Sequence, residues 1–260
     1  MIYILYNPLS GNGDAAEEAE MLSVLYYGEE IYSADIRSIA SWGKLFSMLD
    51  DDDTLIICGG DGTLHRFVND TDGLEIPCNI LYHATGTTND FLHDLGGTVG
   101  DNPVLIKEHL RHLPYAYVNG KKYRFLNGIG FKADLCAPSD AAPISITVTA
   151  DGKRYAYEKV WFAASMKGRF YGGGMMPTPN GDRTDPEGKV SLTVLHGSNK
   201  LKALALFPLV FKGKSLMHSE TVSIHTGHDI RVTFDRPTSL LIDGEAISDV
   251  TEYGVHSHIF

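Results

Sequence analysis

Short apolar runs recur through the first 110 or so residues, and each gives way to a helical period. Ile2–Tyr6 is apolar and ends at the turn cluster Asn7-Pro8, with Gly11 and Gly13 just beyond. Residues 14–26 set Ala15, Ala16, Ala19, Met21, Leu22 and Leu25 among acidic positions, which predicts a helix with Asp14 as its N-cap. Ile31–Ile36 alternates as a strand, and Ser38–Leu49 returns to helical spacing. Thr54–Cys58 reads as a buried strand running straight into Gly59-Gly60-Asp61-Gly62-Thr63. Leu64–Asn69 then reads as helix, Asn79–Tyr82 as strand and Thr88–Leu95 as helix. Strands alternating with helices predict a doubly wound, mainly parallel α/β sheet.

The rest of the chain has a different period. Asn119-Gly120 stands between PYAYV and KKYRFL, the strongest short hairpin signal. Ile144–Thr149 alternates strictly, Asp151-Gly152 marks another turn, and Tyr155–Met166 continues as strand. Val190–Leu195, Thr221–His225, Asp229–Phe234 and Ser239–Ile242 are further β patterns, interrupted by one helical stretch at Lys200–Phe211. The expected organisation is an α/β domain over residues 1–113 and a mostly antiparallel β domain over 114–260, whose final segment is free to return to the first.

Composition narrows the function. Lys+Arg 22 against Asp+Glu 33 gives a net charge of −11 over 260 residues, which disfavours a nucleic-acid groove. Cys58, Cys78 and Cys136 lack CxxC spacing, so neither a disulfide framework nor a zinc knuckle is expected. The N-terminus has no basic segment ahead of an apolar one, and no apolar run approaches the ~18 residues of a membrane span. These features predict a cytoplasmic protein whose contact with a membrane, if its substrate requires one, is transient.

Three glycine-rich turns follow strands in the first domain: NPLSGNG at 7–13, GGDGT at 59–63 and ATGTTND at 84–90. Such turns leave unpaired backbone N–H groups at the mouth of the next helix, where an anion binds. In an open α/β sheet they converge at the carboxyl ends of the strands. Together they predict a nucleotide-phosphate site. The dinucleotide pattern is met weakly by Gly11-x-Gly13-x-x-Ala16, and by chance at Gly128-x-Gly130-x-x-Ala133. Gly213-Lys214-Ser215 fails as a Walker loop, because Pro208 stands where a glycine is needed.

Asn7-Pro-Leu-Ser-Gly11, Gly59-Gly-Asp-Gly-Thr63 and Thr85-Gly-Thr-Thr-Asn-Asp-Phe91 resemble the three nucleotide loops of the diacylglycerol kinase catalytic domain, in its bacterial soluble lipid kinase branch related to sphingosine kinases. Phe125-Leu-Asn-Gly-Ile-Gly130 and Ile242-Asp-Gly-Glu245 resemble later blocks of the same family. The resemblance implies a nucleotide-binding α/β domain followed by a β-sandwich, with the active site in the cleft between them. It implies ATP on Asn7, Pro8, Ser10, Gly11, Gly59, Gly60, Asp61, Gly62, Thr63, Leu64, His65, Gly86, Thr87, Asn89 and Asp90. Glu245 is the implied general base, with its proton affinity raised by partial burial or by Asp243, and Asp61 stands near the phosphates. Mg²⁺ is expected on Asp185 and Glu187 with a carbonyl near Lys189.

The chain departs from the family where His65 and Arg66 replace the usual Asn-Glu, where Ala84 replaces Pro, and where Glu187-Gly-Lys-Val-Ser191 replaces DGxxD. The last change bears on the metal more than on the nucleotide. The implied acceptor is a lipid at a membrane surface, contacted peripherally. Lys200, Lys202, Lys212 and Lys214 around LALALFPLVF offer one means, although a core-covering helix explains that stretch as well. A homodimer is compatible with the sequence. Two alternatives stand beside the lipid kinase: a kinase of a soluble hydroxyl acceptor such as NAD, and a non-catalytic nucleotide-binding regulator. His109 with His112, His225 with His228, and His256 with His258 read as surface positions, Asp50–Asp53 as a solvated helix end, and Cys58 and Cys78 as buried.

Overall fold

The structure is a computed structural model, described here for residues 1–13, 15–133, 143–214 and 220–257. Asp14, Cys136, Ser215 and His258, singled out above, lie outside the described residues. The chain divides into two compact units, Met1–Arg111 and His112–Phe260.

The first unit runs β1 (Ile2–Tyr6), α1 (Ala15–Leu25), β2 (Ile31–Asp35), α2 (Trp42–Phe46), β3 (Thr54–Gly59), α3 (Asp61–Asp70), β4 (Asn79–Ala84), α4 (Asp90–Asp94), β5 (Val104–Leu105) and α5 (Lys107–Arg111). Its sheet has the order β2-β1-β3-β4-β5, parallel except for β5. Leu55, Ile56, Ile57 and Cys58 in β3 are all fully buried, as a central parallel strand covered on both faces requires. Ala19 and Leu22 of α1 pack on Ile2, Ile4, Ile56 and Cys58. Burial pushes the Cys58 thiol up to about 12, so it is an inert core residue.

Two helices differ from their sequence pattern. The stretch 38–49 is helical only over α2: Ile36–Ser38 forms a separate 3₁₀ turn, and Ser41 accepts from Lys44 N to start the helix. α3 begins three residues earlier than its apolar period suggests, so Asp61, Gly62 and Thr63 form its first turn rather than a loop before it.

The second unit contains β6 (Tyr115–Val118), β7 (Lys121–Arg124), β8 (Gly128–Lys132), β9 (Ile144–Ala150), β10 (Lys153–Val160), β11 (Phe162–Met166), β12 (Val190–Leu195), α6 (Lys200–Phe211), β13 (Val222–Gly227), β14 (Asp229–Ile242) and β15 (Glu245–His256). All its pairings are antiparallel, in the order β13-β12-β11-β8-β14-β15-β6-β7, with β9 joined to β14 and β10 to β9. Asn119 and Gly120 take φ of +49° and +74°, Asp151 and Gly152 +44° and +80°, so both predicted turns carry the left-handed pair that a tight hairpin needs.

The two segments read as strands at 229–234 and 239–242 are one strand, β14. Its first part pairs with β9 and its last residues with β8, and the register shifts between Thr233 and Leu240. Pro237 sits in that irregular stretch, where a missing N–H is tolerated. Conversely, the single strand read at 155–166 is two. β10 pairs only with β9, whereas β11 lies between β8 and β12, and Lys159 at φ +52° marks the break. Both features carry the chain from one layer of a β-sandwich to the other. Gly128 and Gly130 lie in β8, where a Cβ on Gly130 would meet Ala163 O at 2.4 Å. Their spacing therefore reflects close strand packing, not a nucleotide fingerprint. His225 is not a surface residue: it is half-buried, 2.6 Å from the Tyr157 hydroxyl, and burial lowers its pKa. Asp53 likewise differs from its exposed neighbours Asp50–Asp52, being buried with Asp50 N donating to it.

Candidate active site

In the first unit, β1, β3 and β4 deliver the three glycine-rich segments side by side, and specific contacts lock them together. Asn7 donates from Nδ2 to Thr63 Oγ1 at 2.8 Å, and its Oδ1 accepts from Leu9 N. Thr85 N donates to Gly59 O at 2.9 Å. Gly60 and Gly86 approach backbone to backbone: a Cβ on Gly86 would lie 2.6 Å from Gly60 Cα. Gly11, at φ +61°, would bring a Cβ within 2.4 Å of Thr85 O. The glycines are needed for this contact between loops.

Asp61 is buried, and its carboxylate accepts from Asp90 N at 2.6 Å and Phe91 N at 3.3 Å. It thus caps the short helix α4 from the second loop, a positioning role. Asn89, left-handed at φ +45°, accepts from the buried Tyr82 hydroxyl and donates to Gly86 O. Leu64 and His65 are buried in α3, while Thr87 is exposed; Asp90 is buried beneath it. Pro8 is half-buried beside the exposed Leu9.

These loops fit a nucleotide's phosphates. Gly62 is exposed on the first turn of α3, and apart from that helix's own backbone no described atom lies within 4 Å of a Cβ built there. Gly60, at the N-cap, offers no side-chain cap, and Thr63 N and Leu64 N donate to its carbonyl, so α3 starts at the loop with its positive end. Thr85 Oγ1 is buried without a hydrogen-bond partner, and Ser10, also buried, lies beside Gly60.

In the second unit, Asp243 is buried at φ +45° in the turn from β14 to β15. Its carboxylate accepts from Leu126 N, Asn127 N and Gly128 N at 2.7, 2.8 and 3.0 Å, and its own N–H donates to Gly128 O. The same segment is held from the other side by buried Arg183, which donates to Leu126 O at 2.6 Å and Asn127 Oδ1 at 2.9 Å. Glu245, two residues past Asp243, is exposed, and no described residue bonds to its carboxylate. The expected partial burial of Glu245 is therefore not supplied within this unit, and the Asp243 carboxylate accepts from backbone amides. Arg183 carried no signal in the sequence: it sits in a polar Asn-Gly-Asp-Arg-Thr stretch that reads as loop.

The loop at 185–189 does not present free ligands. Asp185 accepts from Glu187 N at 3.0 Å, and Glu187 is ion-paired with the Lys189 ammonium. Thr184 holds Asp182 well below the usual carboxylate range through side-chain and backbone hydrogen bonds. As folded, these residues do not fit a metal ion, since the loop's own ammonium answers its carboxylates.

An α/β unit with three interlocked glycine-rich loops, followed by a β-sandwich unit, points to the kinase class of phosphotransferases. Residues 1–114 match the diacylglycerol kinase catalytic domain, and residues 133–254 match the YegS C-terminal NAD kinase beta sandwich-like domain. The chain is thus similar, in both of its units, to proteins built on the diacylglycerol kinase catalytic domain. It is 23% identical to a diacylglycerol kinase of Mycobacterium tuberculosis, over 80% of this chain and 77% of that one. It is 22% identical to a diacylglycerol kinase of Bacillus subtilis, over 93% and 88%. A crystal structure of a diacylglycerol kinase from Bacillus anthracis superposes with a TM-score of 0.66 at 18% identity, covering 98% of this chain and 93% of that one, and shares the fold.

Proposed function

We propose that this protein is an ATP-dependent lipid kinase, passing the γ-phosphate of ATP to the hydroxyl of a lipid such as diacylglycerol. The exposed carboxylate of Glu245 carries the reading, beside Asp243, whose carboxylate accepts from the three backbone N–H groups of residues 126–128. ATP would bind on the loops at 7–11, 59–65 and 85–90, with backbone N–H groups at the start of α3 and the Thr85 hydroxyl meeting phosphate oxygens. Glu245 then takes the proton of the acceptor hydroxyl as its oxygen attacks the γ-phosphorus and the bond to the β-phosphate breaks, releasing ADP. Magnesium would come with the nucleotide rather than from a site built by the loop at 185–189. The acceptor would be met at a lipid surface by peripheral contact.

Two variants separate binding from chemistry. Gly86→Ala forces a Cβ against Gly60 and Asn89, and is expected to abolish ATP affinity while the second unit stays folded. Glu245→Gln is expected to keep ATP affinity and lose roughly 100-fold or more in turnover, the usual size of general base catalysis. Near-normal turnover in folded Glu245→Gln would remove the glutamate from the reaction.

A further inference from the structure

Helix α6 is apolar on both of its sides. Ala203, Leu206 and Val210 turn inward to the sandwich core, as a surface helix requires. The opposite side should then be polar. Instead Leu201, Leu204, Ala205 and Pro208, spaced i, i+3, i+4 and i+7, all lie exposed, with Phe211 beside them. Leu201 is 79% exposed, and Phe211 stands at the surface against the ring of Phe207, which itself packs on the core. A continuous outward apolar stripe marks a surface that meets something other than water.

Charge indicates what that is. The chain has a net charge of −11, yet no Asp or Glu occurs between Glu187 and Glu220. Lysines stand at both ends of the stripe, Lys200 and Lys202 at the start of α6, Lys212 and Lys214 just after it. Lys202, Lys212 and Lys214 are exposed, and Glu220 meets Lys202 at 3.3 Å. Lys132 adds an ammonium 5.7 Å from the Phe207 ring. Cations at a helix C-terminus complement the helix dipole, but those in the first turn oppose it, so helix stability does not account for Lys200 and Lys202. By contrast, an exposed apolar face on α1, formed by Met21, Val24 and Leu25, lies among exposed Glu17, Glu20, Glu29 and Glu30, which anionic lipid would repel. We infer that α6 is a docking surface for an anionic lipid bilayer, lying in the membrane plane with Leu201, Leu204 and Phe211 among the upper acyl chains and its lysines at the headgroup phosphates. The attraction acts locally, because at physiological salt the rest of the chain's charge is screened beyond about 8 Å. The inference rests on the lipid-kinase reading for its purpose alone.

The test needs no turnover, which keeps its outcome separate from that of the kinase reading. The whole chain is sedimented with sucrose-loaded vesicles of phosphatidylglycerol or of phosphatidylcholine, neither containing diacylglycerol. Partition onto phosphatidylglycerol should exceed that onto phosphatidylcholine by about tenfold or more, and should weaken as salt is raised. A lysine near an anionic surface is worth about fivefold, so Lys212→Gln/Lys214→Gln should weaken partition roughly 25-fold at an unchanged melting temperature. Val24→Asp/Leu25→Asp on α1 should leave it unchanged. Depth is read separately: Leu204→Trp should gain emission that acyl-brominated phosphatidylglycerol quenches, beyond any quenching of Trp42 and Trp161 in the wild type. No sedimentation with phosphatidylglycerol, equal sedimentation with both lipids, full binding by the lysine variant, or unquenched emission from Leu204→Trp overturns the proposal. A solution dimer that Leu204→Asp dissociates assigns the stripe to a second copy of this chain, and overturns it too. If wild type binds the vesicles as expected but phosphorylates no acceptor, the docking surface stands and the kinase reading alone fails.

Discussion

At the scale of single residues, two aspartates of the candidate site brace backbone that is distant in sequence. Asp61 caps α4, and Asp243 gathers three N–H groups of residues 126–128. The motifs were legible because glycine and aspartate at fixed spacing are conspicuous; their roles were not, because the partners lie 29 and 115–117 residues away in sequence. Arg183 went unseen for the same reason, since burial of a cation cannot be read from a polar stretch. A prediction follows for Asp243→Asn. Asparagine tolerates the left-handed backbone, so the change isolates the lost charge and one lost acceptor. Hydrogen bonds to a charged group are worth about 1.5–3 kcal/mol each, so Asp243→Asn should destabilise the second unit by about 2 kcal/mol, measured by urea unfolding. Unchanged stability with lost turnover would instead put Asp243 in the reaction.

At the scale of elements, apolar alternation located most strands correctly but misjudged where strands break and join. β14 spans a Pro-containing irregularity that reads as a gap, and β10 and β11 meet without any turn residue to announce it. α6 reconciles the two sequence readings of its stretch. Ala203, Leu206 and Val210 are buried in the sandwich core and Phe207 packs against it, yet Leu201, Leu204 and Phe211 are exposed, with Lys200, Lys202, Lys212 and Lys214 nearby. Asn199 caps the helix, accepting from Lys202 N at 2.8 Å, and Pro208 removes one helical donor without ending it. If the exposed side meets lipid, Leu201→Asp/Leu204→Asp should abolish flotation with phosphatidylglycerol vesicles while the melting temperature is unchanged. Phe207 is unsuited to this test because of its core contacts. Equal flotation of wild type and the double variant would leave α6 a covering helix and nothing more.

At the scale of the whole molecule, the change of period near residue 113 made the two-part organisation legible, and the ordered motifs from Asn7 to Glu245 made the family legible. The acceptor was not, because no pocket of defined shape is written in a pattern of glycines and strands. No helix among the described residues is long and apolar enough to cross a membrane. On the proposed reading, phosphate binding belongs to the first unit and proton removal to the second, and turnover reports the choice of acceptor. The most direct measurement follows the label from γ-labelled ATP with diacylglycerol in mixed vesicles, with NAD, and with no acceptor. Label in phosphatidic acid, dependent on Glu245 and absent with NAD, is the result predicted here. Label in NADP alone would make the protein a kinase of a soluble hydroxyl, and ATP binding without transfer to either acceptor would contradict catalysis altogether.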